Sequence, residues 1–198
     1  MRQQSKSIAL IGEGETEWFY FDSLRIDRRF SFKIAPDFPS HSDIKHILKL
    51  AEKYITLQYD YVICLIDMDR LWQTPAEMTK YQQEKKKRKY KKVTFIETDP
   101  CTEFWFLLHF LPDTCVRKYG CYKDLLPELQ KYMPGYEKTK RYFSRIGLYR
   151  YLIKNGNINN ALKNAEKLSE LSKTDPENRH AYSEIYKVIR ILNNLVPV

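Results

Sequence analysis

No apolar run in the 198-residue sequence reaches the length needed to cross a bilayer, and the four cysteines contain no C-x-x-C pair. The first absence excludes a helical membrane protein. The second, with no histidine at finger-like spacing from Cys64, Cys101, Cys115 or Cys121, argues against a structural zinc site and fits a reducing cytoplasm. There is no Gly-Lys-Ser/Thr phosphate loop and no G-x-G-x-x-G, so the sequence gives no support for binding of a nucleoside triphosphate or dinucleotide. No internal repeat and no low-complexity tract occurs apart from one basic run. The opening MRQQSKSIALIGEGE turns polar after four or five apolar residues, too few for a signal-peptide core.

What remains is an ordinary globular composition, 43% hydrophobic and 30% charged, with many tyrosines and a formal net charge of +9. The length suits one cooperative unit with a real core. The positive surplus makes nucleic acid the first partner to consider, without specifying one.

Apolar runs at strand length alternate with helical stripes through residue 111. Ser7 to Ile11 reads as a strand that stops at Gly12, and ETEWFYFDSLRI as the helix after it. Phe30 to Ala35 reads as a second strand, and the stripe Ile44, Ile47, Leu48, Ala51, Ile55 as a second helix capped by Ser40 or Ser42. YDYVICLI, nearly continuous in apolar and aromatic residues, suits a strand covered on both faces. Lys92 to Glu97 is a fourth strand, followed by a helix in TDPCTEFWFLLHFL with Thr98 or Asp99 as its cap. The expected fold is α/β, with a mainly parallel four-stranded sheet flanked by helices over residues 1–111 and a helical extension over 112–198 packed on it.

Ligands of open parallel sheets bind beyond the carboxyl ends of the strands. GEGETE places Glu13 there after strand one, and IDMDR places Asp67 and Asp69 after strand three. Residues two apart on an extended segment face the same way, so both aspartates can meet Glu13 across neighbouring strands. Three crowded carboxylates repel unless one takes a proton or a hard cation joins them, which points to Mg²⁺, with Mn²⁺ as the alternative. Glu15 and Glu17 sit where helix first turns favour acids, and Glu17 is also a candidate catalytic residue. Glu103 either occupies a favourable first turn or adds a ligand. His109, among Trp105, Leu108 and Phe110, is either a hydrogen-bonded core histidine or a proton shuttle. Arg70 pairs with a carboxylate or touches a phosphate. The run Lys85, Lys86, Lys87, Arg88, Lys89, Tyr90, Lys91, Lys92, lying between strands three and four, is either a solvated surface or a nucleic-acid contact on the crevice side.

EGETEWFYF, DMD and DPCTEFWFLLHF together resemble the RloB family of bacterial proteins, a likeness that spans most of the chain, with a weaker segment in PENRHAYSEIYKVIRIL from Pro176. Thr98 and Asp99 stand where relatives usually carry Ser-Asn. The resemblance implies a Toprim-like, Rossmann-like core in which Glu13 serves acid–base work or metal binding, Asp67 and Asp69 hold Mg²⁺, and a phosphodiester is cut. It also implies a setting near restriction or phage-defence genes. The leading expectation is therefore a Mg²⁺-dependent nuclease; the alternatives are a non-catalytic nucleic-acid-binding or scaffold subunit of a defence complex and a phosphatase with Asp67 as nucleophile.

Overall fold

The computed structural model describes residues 6–37, 43–112 and 116–195. Strand β1 (Ile8–Ile11) leads into α1 (Glu15–Arg28), β2 (Lys33–Ala35), α2 (Ile44–Thr56) and β3 (Tyr61–Asp67). Two helices follow, α3 (Met68–Gln73) and α4 (Pro75–Lys85), before β4 (Val93–Asp99) and the short α5 (Glu103–Leu107). The remainder is α6 (Tyr122–Tyr132), α7 (Lys140–Ile146), α8 (Leu148–Asn155), α9 (Ile158–Thr174), β5 (Tyr182–Ser183) and α10 (Ile185–Leu195). No described helix is long and apolar enough to cross a membrane.

The sheet has the order β2-β1-β3-β4-β5. The first four strands are parallel, so helices carry the chain back between them. The expected four strands become five, because β5 adds antiparallel to β4 through Thr98↔Ser183 and Asp99↔Tyr182. Two residues at a polar edge carry no periodicity that a sequence reading can detect.

Side chains alternate across the sheet and divide the core in two. Ile8, Leu10, Ile63 and Leu65 face one apolar cluster, and Ala9, Ile11, Val62, Cys64 and Ile66 face the other. The second cluster is closed by α2, with Leu71 and Tyr81 from α3 and α4. The first is closed by α1 and α5, and residues of α6–α10 belong to it as well. There Trp105 donates its indole N–H to the Tyr20 hydroxyl at 2.7 Å, which satisfies both polar groups inside the aromatic core.

Several local expectations change. The cap of α2 is Asp43, whose side chain accepts from His46 N; Ser40 and Ser42 lie outside the described residues. Thr98 and Asp99 are the last residues of β4 and do not cap α5. Asp69 is not on an extended segment: β3 ends at Asp67 and the chain turns into helix at Met68.

Gly12 closes β1 where Glu17 folds back over the turn. The Glu17 Oε2 accepts from Gly14 N at 2.8 Å, and a Cβ on Gly12 would stand 2.9 Å from the Glu17 Cβ. Gly12→Ala is therefore expected to lower the unfolding free energy by about 1–3 kcal/mol, the range for overpacking a tight site. Urea denaturation measures it; an unchanged midpoint would mean the turn relaxes freely.

Candidate metal centre

Neighbouring parallel strands bring the two acidic motifs to one edge. β1 lies directly beside β3, with Ile11 opposite Cys64, so Glu13 extends past the sheet next to Asp67. The Glu13 Oε1 accepts from the Asp67 backbone N at 3.3 Å. Asp67 shares the parity of Ile63 and Leu65 and points to the α1/α5 side, where its Oδ1 accepts from Thr102 N at 2.9 Å and Thr102 Oγ1 at 3.0 Å. All its hydrogen bonds fall on one oxygen, which leaves Oδ2 for a ligand.

Asp69 reaches the same cleft from the first turn of α3, steered by its backbone N, which donates to Pro100 O at 2.9 Å. Its Oδ1 accepts from Arg70 N at 2.6 Å and its Oδ2 from Tyr122 N at 3.4 Å. The cleft has a volume of about 370 Å³ and is lined by Glu13, Glu15, Glu17, Asp67, Asp69, Arg70 and Lys138, together with Gly14. Five carboxylates thus face two cations.

Behind the cleft, Glu103 is fully buried. Its Oε1 accepts from Thr16 Oγ1, from Tyr136 OH and from Lys138 Nζ, each at 3.0 Å. Its Oε2 has no hydrogen-bond partner. Asp67, Cys101 and Glu103 each bring one ligand atom to within 4.8 Å of the others. Among the described residues this is the group with metal-holding geometry; Glu13 and Asp69 line the cleft beside it but stand outside it. A buried carboxylate oxygen without a donor and two hard oxygens beside a sulfur fit a divalent cation. The donor set does not single out Mg²⁺.

Electrostatics follow from this crowding. Burial, then the Glu17 charge, push the Glu13 carboxyl up to about 8, against the opposing effects of the Asp67 N–H and Arg70. Burial and the charges of Glu17 and Glu13 raise Asp67 well above its ordinary value, and burial raises Asp69. Glu103 behaves oppositely: burial works to raise it, but Lys138 and its hydrogen bonds hold it below the usual carboxylate range. Lys138 is pressed down by desolvation and pulled up more strongly by Glu103, Asp67 and Glu17.

Glu17 is buried and touches the cleft through the folded-back contact with Gly14. His109 lies away from it, fully buried, with Nδ1 2.9 Å from Trp105 O and Nε2 without a partner. Burial lowers its pKa to about 4, so it is neutral near pH 7. Arg70 lines the cleft and reaches Glu77 at 3.4 Å. Apart from Lys85, whose side chain reaches back to Glu97, the basic run is not on the crevice side: it precedes Val93, which pairs with Val62 at the opposite end of the sheet from Asp67↔Thr98. The placement expected for it fails because α4 carries the chain back across the sheet before β4 begins. Lys85 is drawn to Glu97, Lys87 to Glu84 and Lys89 to Glu52, while Lys86, Arg88, Lys91 and Lys92 are exposed.

Thr16 and Thr102 carried no site signal in the sequence, and Tyr136 and Lys138 only that of cations alternating with aromatics through Tyr142, which suits a strand groove or snorkelling side chains alike and does not point to this cleft. Each lies on a loop or helix start whose approach to the cleft depends on tertiary packing. Cys101 had a signal of another kind, since Cys101 and Glu103 flank a residue beside the end of β4, a spacing that lets both reach one point.

The family model described as RloB-like protein matches residues 8–192, and the chain belongs to that family. No curated protein and no solved structure matches the chain.

The folded chain holds the Glu13 proton up to about pH 8, whereas the unfolded carboxyl releases it near its ordinary 4.5. Between those values the folded state binds more protons, so metal-free stability falls as pH rises through that window. Glu13→Gln should therefore be more stable than the parent at pH 8, by on the order of 1–3 kcal/mol, with the difference shrinking toward pH 5. Urea unfolding in chelator at both pH values checks this; equal stability at both would show that Glu13 is not crowded.

Proposed function

We propose that this RloB-like chain is a divalent-metal-dependent, Toprim-type nuclease, acting on nucleic acid in a restriction-linked or phage-defence setting. The observation that carries the reading is Asp67, which belongs both to the five-carboxylate cleft and to the group it forms with the buried Cys101 and Glu103. So much negative charge in one place is stable only with a proton or a cation, and a cation there can bring in a phosphate. Mg²⁺ is the proposed ion, with Mn²⁺ as the alternative; both favour the carboxylate oxygens over the Cys101 sulfur. When bound, the ion would neutralise phosphate charge and make water a better nucleophile.

The chain's own residues supply the rest. Thr102 fixes Asp67 through Oδ1 and leaves Oδ2 toward the cleft. Glu13 keeps its proton up to about pH 8 in the metal-free cleft; beside a cation it would release that proton and become a carboxylate that can take one from an attacking water. Arg70, and Lys138 with the donors not spent on Glu103, would hold non-bridging phosphate oxygens. One observation favours a non-catalytic scaffold instead: Lys138, Thr16 and Tyr136 already compensate Glu103, so part of the acidic network is stable without an ion.

The test uses labelled single- and double-stranded DNA and RNA with Mg²⁺ or Mn²⁺. Asp67→Asn is expected to reduce cleavage at least about 100-fold, since loss of even an outer-shell partner of a metal ligand costs about 10- to 100-fold. Glu166→Gln, which removes only an exposed pair with Arg190, should leave cleavage unchanged. Equal residual cleavage by the parent and Asp67→Asn would discard the nuclease reading.

A further inference from the structure

Trp72 stands three residues after Asp69 on α3, about 4.5 Å farther along the helix axis. Of the three tryptophans, Trp105 is fully buried and Trp18 packs partly buried against the core, whereas Trp72 is 47% exposed. It is nonetheless held firmly. Its Nε1 donates to Asp99 Oδ2 at 2.7 Å, and the buried Asp99 is gripped from the other side by Arg179, Nε to Oδ2 at 2.8 Å and Nη2 to Oδ1 at 2.7 Å. The Arg179 guanidinium also lies over the indole, 4.9 Å from its centroid. One edge and one face of the ring are thus engaged, and the remaining surface is open to solvent.

Leaving a large aromatic surface in water forgoes its burial energy, and fixing its rotamer adds an entropic cost. Both become useful when a second flat ring stacks on it, because the platform is already ordered before the ligand arrives. Beside the indole is a cavity of about 320 Å³ lined by Lys85, Glu97, Arg179, His180 and Tyr182, among others. That mixture of donors and acceptors suits the polar edges of a heteroaromatic base better than an aliphatic side chain. Arg70, two positions before Trp72 on the same helix, lines the acidic cleft, so α3 contributes to both cavities.

We propose that Trp72 is the stacking platform for an unpaired nucleobase of the strand whose phosphate enters the acidic cleft, so that the preferred substrate is single-stranded or locally opened nucleic acid. The identity of the strand rests on the nuclease reading above; the stacking role does not need the chain to cut. Stacking on an aromatic side chain is tolerant of sequence, and truncating the platform typically weakens binding by about ten-fold per base.

Binding of a short fluorescein-labelled oligothymidine, and of the matching oligouridine, is measured with the full chain in Ca²⁺ and again in chelator. Trp72→Ala is expected to weaken binding about ten-fold in both conditions, and Trp72→Phe, which keeps a ring, to stay within about three-fold of the parent. Should Trp72→Ala fail to fold, photocrosslinking of the unaltered chain to a 5-iodouracil oligonucleotide gives a second readout, with the adduct expected on the peptide that carries Trp72. Absence of binding by the parent chain, unchanged binding by a folded Trp72→Ala, or adducts only on other peptides would overturn the platform. Competition by a free mononucleotide as strong as by the oligonucleotide would overturn the strand assignment. Cleavage is scored separately: Trp72-dependent binding without cleavage by the parent chain would remove the nuclease reading and leave the platform standing.

Discussion

Asp67 is confined between the end of a buried strand and the start of α5, with Glu13, Glu17 and Glu103 acting on it through a poorly screened interior. At such separations and low effective dielectric, like charges cannot all be retained, so the edge must hold protons, find countercharge or accept a cation. The chain uses the first two in different places. Protons are favoured on Glu13 and Asp67, whereas Glu103 keeps its charge because Lys138 is against it. The result is a cleft with a graded response, a permanently charged carboxylate at the back and exchangeable ones in front.

The sheet creates this arrangement more than any single side chain does. β1 and β3 are adjacent and parallel, so the residues after Ile11 and Ile66 emerge at the same end. β4 is placed next, and its exit through Pro100 and Thr102 returns to Asp67 and Asp69 by hydrogen bonds. On the outer side, β5 fastens β4 through Thr98 and Ser183, and Arg179 neutralises Asp99. A strand of two residues thus secures the element from which Cys101 and Glu103 are presented. The same Asp99 orients Trp72, which links the sheet edge to the open indole beside the cleft.

The alternation of Ile8, Leu10, Ile63 and Leu65 with Ala9, Ile11, Val62 and Cys64 was readable as strands because both faces are covered and the apolar run is unbroken. Glu13 and Asp67 were readable as neighbours because parallel strands deliver their carboxyl ends to one edge. Asp69 was expected there for the wrong local reason: Met68 begins a helix, and the side chain arrives from its first turn. The basic run was assigned to the crevice side from its place in the chain, but sequence position between two strands does not say at which end of the sheet a segment lies. The direction of β4 does, and it puts that run at the far end. Lys138 stands out in the sequence only as one cation in the alternation Tyr136, Lys138, Lys140, Arg141, Tyr142, which does not tie it to the acidic residues. A lysine on a loop gives no periodicity, and its contact with Glu103 exists only once the loop between α6 and α7 folds over α5.

On the function proposed above, Asp67 organises a divalent-cation site at the carboxyl edge of the sheet. A crystal soaked in Mn²⁺, with the metal located by its anomalous scattering, tests it most directly. A peak is expected within coordination distance of an Asp67 carboxylate oxygen, joined by an oxygen from Glu13, Asp69 or Glu103. Mn²⁺ found only at other positions, or a cleft that stays free of metal while its carboxylates remain crowded, would contradict it.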